Sequence, residues 1–268
     1  MTRQPALLRY PGAKWALGPR IAAALPEHKH YVEPYFGSGA VFFTKPASLH
    51  EVVNDIDGRV VNFWRTLREH TEELCWLIEA TPWSRSEYEA SRAPSDDPIE
   101  DARRFAVRAW QAHAADFSRV VGWRHRGVAQ ACSGMSTRWT KVPGQLAAVA
   151  HRLAVAEIEQ IDAVKLVRRV QGEDVLIYAD PPYPLETRGH ELYAVETDRD
   201  HHVDLLDALC AHSGPVVLSG YACGLYDDAL SGWHREEIQT TTHGGRQRTE
   251  VIWRNHQPTL SAKENYDE

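Results

Sequence analysis

The chain has 268 residues, 43% of them hydrophobic, and a formal net charge of −7. That is enough apolar chain to bury a sizeable core. No apolar run reaches the length of a membrane span and Met1-Thr2-Arg3-Gln4-Pro5 carries no signal-peptide core, so a cytoplasmic protein without membrane contact is expected. Cys75, Cys132, Cys210 and Cys223 are scattered, with no Cys-x-x-Cys pair, and the fourteen histidines follow no ligand spacing. This argues against a disulfide framework and against a structural zinc site, and no metal is expected.

The net charge hides an uneven distribution. Between Ala102 and Arg152 there are nine basic residues and one acid, Asp116, so this segment carries +8 and the remainder −15. A local basic field inside an acidic chain is the footprint of a polyanionic partner.

In chain order, Leu7-Leu8-Arg9-Tyr10-Pro11-Gly12-Ala13-Lys14-Trp15 predicts a tight Pro-Gly turn followed by a short helix from Leu17 to Leu25. Tyr31-Val32-Glu33-Pro34-Tyr35-Phe36-Gly37-Ser38-Gly39-Ala40-Val41-Phe42-Phe43 predicts a strand, a Gly-x-Gly turn and then an apolar helix. Glycines there permit positive φ and a close approach of ligand to backbone. Glu51-Val52-Val53-Asn54-Asp55-Ile56-Asp57 follows as a second strand ending in acids, at the distance where an acid takes the ribose hydroxyls of a nucleotide-like ligand. No third glycine stands at the dinucleotide spacing and no Gly-Lys-Ser/Thr occurs, which favours an adenosine-bearing ligand without pyrophosphate.

Val60 to Glu79 has a mostly helical apolar pattern, Ala93 to Pro98 a loop composition, and Ala102 to Ser118 a second helical pattern. Val121 to Gly127 and Gly134 to Lys141 lack periodicity and interleave Arg and Lys with Trp, Gly and Ser, a composition suited to phosphate and base contacts together. Val142-Pro143-Gly144 opens a helix reaching Leu153, and Glu157 to Ala163 reads as a strand and turn. Asp162 there suits either a helix cap or an acceptor for an adenine amine, and both readings stay open.

Val175-Leu176-Ile177-Tyr178-Ala179 then predicts a buried strand that ends abruptly in Asp180-Pro181-Pro182-Tyr183. Each proline fixes its own φ and removes a backbone donor, and Pro181 forces Asp180 to be extended. The product is a stiff strand end presenting a carboxylate, main-chain carbonyls and an aromatic ring, at the place where open α/β sheets bind ligands. A polar loop from Pro184 to Val195, a helix from Asp198 to His212, a buried strand from Pro215 to Tyr221 and a closing antiparallel pair, Trp233–Thr242 and Glu250–Asn255, complete the expectation. From His256 onward the polar tail is expected to be disordered.

This order of motifs resembles the Dam-type DNA adenine methylases. The specific pair is Glu33-Pro34-Tyr35-Phe36-Gly37-Ser38-Gly39 and Asp180-Pro181-Pro182-Tyr183, supported by Tyr10-Pro11-Gly12-Ala13-Lys14, Asn54-Asp55-Ile56-Asp57, Ser219-Gly220-Tyr221 and Thr249-Glu250-Val251-Ile252-Trp253. Ala13 stands where the family usually has a second glycine, and Tyr10 where a tryptophan is common. The resemblance implies an α/β fold of the class I S-adenosylmethionine-dependent methyltransferase type, a Rossmann-like mixed sheet. Residues 1–70 and 153–255 would form the catalytic part and 71–152 an inserted, mainly helical target-recognition domain.

It further implies a cofactor site made by Tyr10, Lys14, Glu33, Pro34, Phe36, Gly37, Ser38, Gly39, Asp55, Ile56, Asp162 and Asp180, and a catalytic tetrapeptide Asp180, Pro181, Pro182 and Tyr183. Arg119, Arg124, Arg126, Arg138, Lys141, Arg246 and Arg248 are the candidate DNA contacts. The implied reaction is methyl transfer from S-adenosylmethionine to the N6 amine of an adenine flipped out of double-stranded DNA, by a monomer with a possible cognate restriction enzyme. Asp at position 180 favours adenine over cytosine, whose methylases usually carry Ser there. An RNA or protein-glutamine methyltransferase, whose tetrapeptide usually begins with Asn, and an idle DNA-binding homologue are the other readings.

Overall fold

The computed structural model describes residues 5–125, 134–241 and 247–256. Seven strands, β1 (His30–Glu33), β2 (His50–Asn54), β3 (Glu157–Glu159), β4 (Val175–Ala179), β5 (Val216–Gly220), β6 (His234–Thr241) and β7 (Gln247–Arg254), form one sheet in the order β3-β2-β1-β4-β5-β7-β6. All neighbours run parallel except β7, which is antiparallel to β5 and to β6. This is the mixed sheet expected of the class I methyltransferase fold. The order reverses between β1 and β4, which pair directly with Val32 opposite Ile177. Chains leaving the two strand ends diverge there, and the crevice they leave is the usual ligand site of an open α/β sheet.

Side chains alternate across the strands, and the two faces collect separate cores. Leu176 and Tyr178 of β4 join Tyr31, Val53, Val217 and Ile252 on one face, while Ile177 and Ala179 join Val32, Leu218, Val251 and Trp253 on the other. The second face is covered by helices Ala163–Arg169, Arg199–Cys210 and Gly224–Ala229. Helices Gly58–Glu69, Thr71–Ala80, Pro98–Gln111 and Val142–Leu153 cover the first, and Phe105, Trp110, Leu146 and Leu153 are buried in the same cluster as the sheet residues. The basic segment thus roofs the sheet through a continuous core. A buried ion cluster adds to this: Glu51 of β2 receives Lys45 Nζ at 2.6 Å and is also paired with Arg152 at the end of the last of these helices.

Several expected elements change at their ends. The helix expected to reach Ser118 stops at Gln111, which turns Phe117 back against Tyr10. One expected helix over Val60–Glu79 is two, broken at His70. The apolar helix expected after Gly39 is only a series of turns: Phe43 N–H donates to Gly39 and Lys45 N–H to Val41, and Pro46 follows immediately. Proline removes the next donor and disfavours the helical conformation of the residue before it, so the turns cannot propagate. Among the described residues no helix is long and apolar enough to cross a membrane.

Candidate active site

A cleft of ≈ 960 Å³, counting space open to solvent, lies over the carboxyl ends of β1 and β4. Of the expected cofactor residues, Tyr10, Lys14, Glu33, Pro34, Phe36, Gly37, Ser38, Asp55, Ile56, Asp162 and Asp180 line it, and Pro182 joins them. Gly39, Pro181 and Tyr183 are not in its wall. Gly39 acts behind the wall, where its φ of +66° lets its N–H donate to Phe36.

The cleft has a rigid floor. Asn54 ends β2 and bridges three segments: its amide donates to the carbonyls of Pro34 (2.9 Å) and Ile161 (3.0 Å) and accepts from Ile161 N–H. Phe36 N–H donates to Asn54 O at 2.8 Å, so the glycine turn is fastened to the end of β2. Gly37 has φ +46° and donates its N–H to Asp55 Oδ2, while Asp55 Oδ1 accepts from Asp57 N–H. Tyr10 covers Gly37 so closely that a Cβ there would lie 2.9 Å from the ring, which only glycine avoids. Burial pushes the Asp55 carboxyl up to about 7 and Glu33 up to about 8, the latter against a hydrogen bond from Tyr31.

At the β4 end, Lys14 Nζ sits 2.9 Å from Asp180 Oδ1 and donates to Gly12 O. Burial by itself would lower the Lys14 pKa, but the carboxylates of Asp180 and Glu250 outweigh it and hold the ammonium charged. Burial raises Asp180 to about 6 against the pull of Lys14. Tyr183 is 6% exposed, with its hydroxyl 3.1 Å from Asp180 Oδ1 and in hydrogen-bond contact with Glu250, so its single proton lies between the two carboxylates. Its ring is flanked by Lys14 and by the edge of Tyr221. In this conformation Tyr183 braces the carboxylate rather than offering an open stacking face. The loop after it closes one side of the cleft: Arg188 pairs with Glu196 at 2.5 Å, and Thr197 donates to Pro182 O.

At the far end Asp162 does what a cap does, accepting from Lys165 N–H through Oδ1, while Oδ2 lies 3.9 Å from His201 Nδ1 in the cleft wall. Tyr35 hydrogen-bonds the other side of that imidazole at 2.7 Å. Tyr35, His201, Tyr193 and Glu250 are residues at the site to which the sequence assigned no role, although Tyr35 lies inside the motif Glu33–Gly39 and Glu250 inside Thr249–Trp253. Glu250 also stands out as a charged residue entering the buried run Val251-Ile252-Trp253.

The candidate DNA contacts divide. Arg138 and Lys141 are exposed at the end of helix Met135–Trp139, and Arg119 is exposed but paired with Asp116. Arg124 spends its guanidinium on the carbonyls of Ala112 and His113, fastening its own loop. Arg248 stacks over Tyr221 and donates to its hydroxyl, one ring away from Tyr183. Arg126 and Arg246 lie outside the described residues, as does Cys132. Among the described residues no cluster of His, Cys, Asp and Glu could hold a metal ion.

Comparison with known proteins agrees with this arrangement. The chain is 27% identical over 254 residues to the type II methyltransferase M1.LlaDCHI of Lactococcus lactis subsp. cremoris, covering 88% of each chain. It is 26% identical over 193 residues to a DNA adenine methylase of Vibrio cholerae, covering 70% of this chain and 68% of the other. A solved SAM-dependent methyltransferase from Agrobacterium tumefaciens aligns over 90% of this chain and 61% of its own at 12% identity, with a TM-score of 0.40, which adds nothing to the strand order. The sequence profile of the D12 class N6 adenine-specific DNA methyltransferases matches residues 10–243. The chain belongs to this family, and its activity is therefore the methylation of adenine in DNA.

Proposed function

We propose that the cleft takes S-adenosylmethionine as methyl donor and that Asp180, with the carbonyl of Pro181, receives the N6 amine of an adenine flipped out of duplex DNA. The donor supplies a methyl carbon on a positively charged sulfur. The residues present fit it: the Gly37–Ser38 turn lines the cleft beside Tyr10, and Asp55, at the end of β2, has acceptor capacity for ribose hydroxyls. Ile56 is 45% exposed within the cleft wall, an apolar surface for a flat ring, and Asp162 and His201 stand at the same end.

The single observation that carries the reading is Asp180 at the end of β4, half-buried in the cleft wall, ion-paired with Lys14 and braced by Tyr183. Adenine's amine is a poor nucleophile because its lone pair is delocalised into the ring. Acceptors on its two N–H bonds favour a tetrahedral nitrogen whose lone pair faces the methyl group. The donor would leave as a neutral thioether. The Asp180 carboxylate would stabilise the positive charge gained by the nitrogen, whose surplus proton would then be released through Asp180 to solvent, and most of the acceleration would come from holding the two reactants in line. An enclosed carboxylate cannot meet a base inside a duplex, so extrusion is required.

The segment 71–152 serves as the target-recognition part, with Arg119, Arg138 and Lys141 facing DNA and Arg124 shaping the loop, and Arg248 on β7 adds a contact from the catalytic part. The type II name of the Lactococcus relative supports a partnered restriction enzyme, and one copy with its own cleft and basic face suffices as a monomer. The test is transfer of labelled methyl from S-adenosylmethionine to unmethylated DNA, with digestion to nucleosides. N6-methyladenine is expected from wild type and none from Asp180→Ala. Label in cytosine, or equal label from both proteins, would overturn the assignment of Asp180.

A further inference from the structure

The reacting end of the cleft holds one carboxylate more than the chemistry above uses. Glu250, on β7, is 5% exposed. Its Oε1 lies 3.3 Å from Lys14 Nζ and accepts the Tyr183 hydroxyl, while Lys14 and Tyr183 both also reach Asp180 Oδ1, at 2.9 and 3.1 Å. Three buried side chains, Lys14, Tyr183 and Glu250, and the half-buried Asp180 therefore close a ring of one ammonium, one phenol and two carboxylates. Burying a second carboxylate beside the first carries a desolvation and repulsion cost that a neutral side chain would avoid. Its place in the ring gives it a use.

Lys14 engages Asp180 Oδ1, and the single Tyr183 proton lies between that oxygen and Glu250, which leaves Oδ2 for the incoming amine. The Lys14 charge on Oδ1 draws the carboxylate's negative charge away from Oδ2 and weakens it as an acceptor, yet leaving Lys14 without a partner inside the protein would be costly. We infer that Glu250 is a positioning residue that takes over Lys14 when the adenine amine arrives, so that Asp180 acts on the base as an unpaired carboxylate. This rests on the reading of Asp180 given above. The move is short, because Lys14 already stands between the two acids, and it exchanges one ion-pair partner for another without breaking a covalent bond or moving a proton.

The groups facing this ring are Lys14, Tyr183, Tyr178 and Asp180 around Glu250, with Glu33, Tyr193 and Tyr226 also within the field of Asp180. Glu250 raises the Asp180 pKa and Lys14 lowers it. Neutralising Glu250 therefore does two things at once: it leaves Lys14 fixed on Asp180, and it makes Asp180 ionise at lower pH.

The test is Glu250→Gln in the full chain, whose amide still accepts from Tyr183. Wild type must first methylate adenine in DNA from S-adenosylmethionine; if it does not, the functional reading fails rather than this inference. The variant is expected to lose roughly 10- to 100-fold in kcat, the scale of one charge-assisted hydrogen bond. Its affinities for S-adenosylmethionine and DNA should stay within about threefold, and the acid limb of its kcat/KM profile should move to lower pH. The limb reports the charge of Glu250 alone, so the deciding readout is kcat at pH above the limb: a purely structural Glu250 would lower the melting temperature and leave that kcat unchanged. Near-normal kcat there overturns the inference. If Glu250→Gln does not fold, Glu250→Asp keeps the charge and shortens the reach. A reduced kcat with an unmoved limb supports the inference, and wild-type kcat overturns it.

Discussion

The backbone N–H of Gly37 donates to Oδ2 of Asp55 at 2.8 Å, so the glycine turn after β1 and the acid after β2 fix one another before any ligand arrives. Asp55 is thus a structural acceptor and a candidate ribose acceptor together. Asp55→Asn turns one of its two accepting oxygens into a donor, facing either Gly37 N–H or Asp57 N–H. Affinity for S-adenosylmethionine, measured by calorimetry, is expected to fall about 10- to 100-fold. Turnover at saturating donor should change far less, because the interaction serves ground state and transition state alike.

Gly37→Ala probes the same turn from its other side. A Cβ would meet the Tyr10 ring at 2.9 Å, and φ +46° adds about 1–2 kcal/mol of strain for an L side chain. The expected result is a lower melting temperature by several degrees together with weaker donor binding. Unchanged values for both would show that Tyr10 moves aside freely.

Asp180→Asn removes the negative charge and offers a donor where the amine needs an acceptor. Methyl transfer is expected to fall by roughly 10³-fold or more. Lys14 keeps Glu250 at 3.3 Å, so the folded state should survive, with a near-ultraviolet circular dichroism spectrum like wild type. A variant that turns over normally would remove Asp180 from the chemistry.

The raised carboxylates predict how activity and stability depend on pH. Asp180 must be ionised to accept the amine, so the acid limb of kcat/KM is expected near pH 6. For stability the sign is opposite. Glu33, held protonated up to about 8 by burial, contributes stability that is complete below its ordinary value of 4.5 and is lost as pH rises through 8. The melting temperature of the ligand-free protein should therefore decline between about pH 5 and 8, and Glu33→Gln should flatten that slope. A Gln variant with the wild-type slope would show that other groups carry it.

Much of this site was legible because it is written in local chemistry. A β-branched run stopped by Asp180-Pro181-Pro182, and glycines at 37 and 39, dictate backbone shape within a few residues, and the structure places them at adjoining strand ends. What the sequence hid depends on packing between distant segments. Glu250 meets Lys14 only because β7 inserts beside β5, more than two hundred residues along the chain. The helix expected after Gly39 fails because Pro46 cuts it short and Phe42 and Phe43 turn toward Phe36 and Trp64. Arg124 has the composition around it of a base reader, yet the carbonyls of Ala112 and His113 claim its guanidinium.

That division among the basic residues yields the last prediction. Arg138 and Lys141 are exposed at the end of the short helix Met135–Trp139, whereas Arg124 holds the Ala112–Trp123 bridge region together. Charge reversal at Arg138 or Lys141 should weaken DNA binding and reduce the slope of log K against log salt by about one for each phosphate no longer neutralised, with donor affinity and melting temperature unchanged. Arg124→Glu should instead lower the melting temperature, because two backbone carbonyls are deprived of their donor. Fluorescence anisotropy across a salt series, beside a thermal melt, separates the two classes. If Arg124→Glu changed only the salt slope while Arg138→Glu and Lys141→Glu bound normally, the DNA-facing surface would lie along the Arg124 loop, and the exposed helix end would have no part in it.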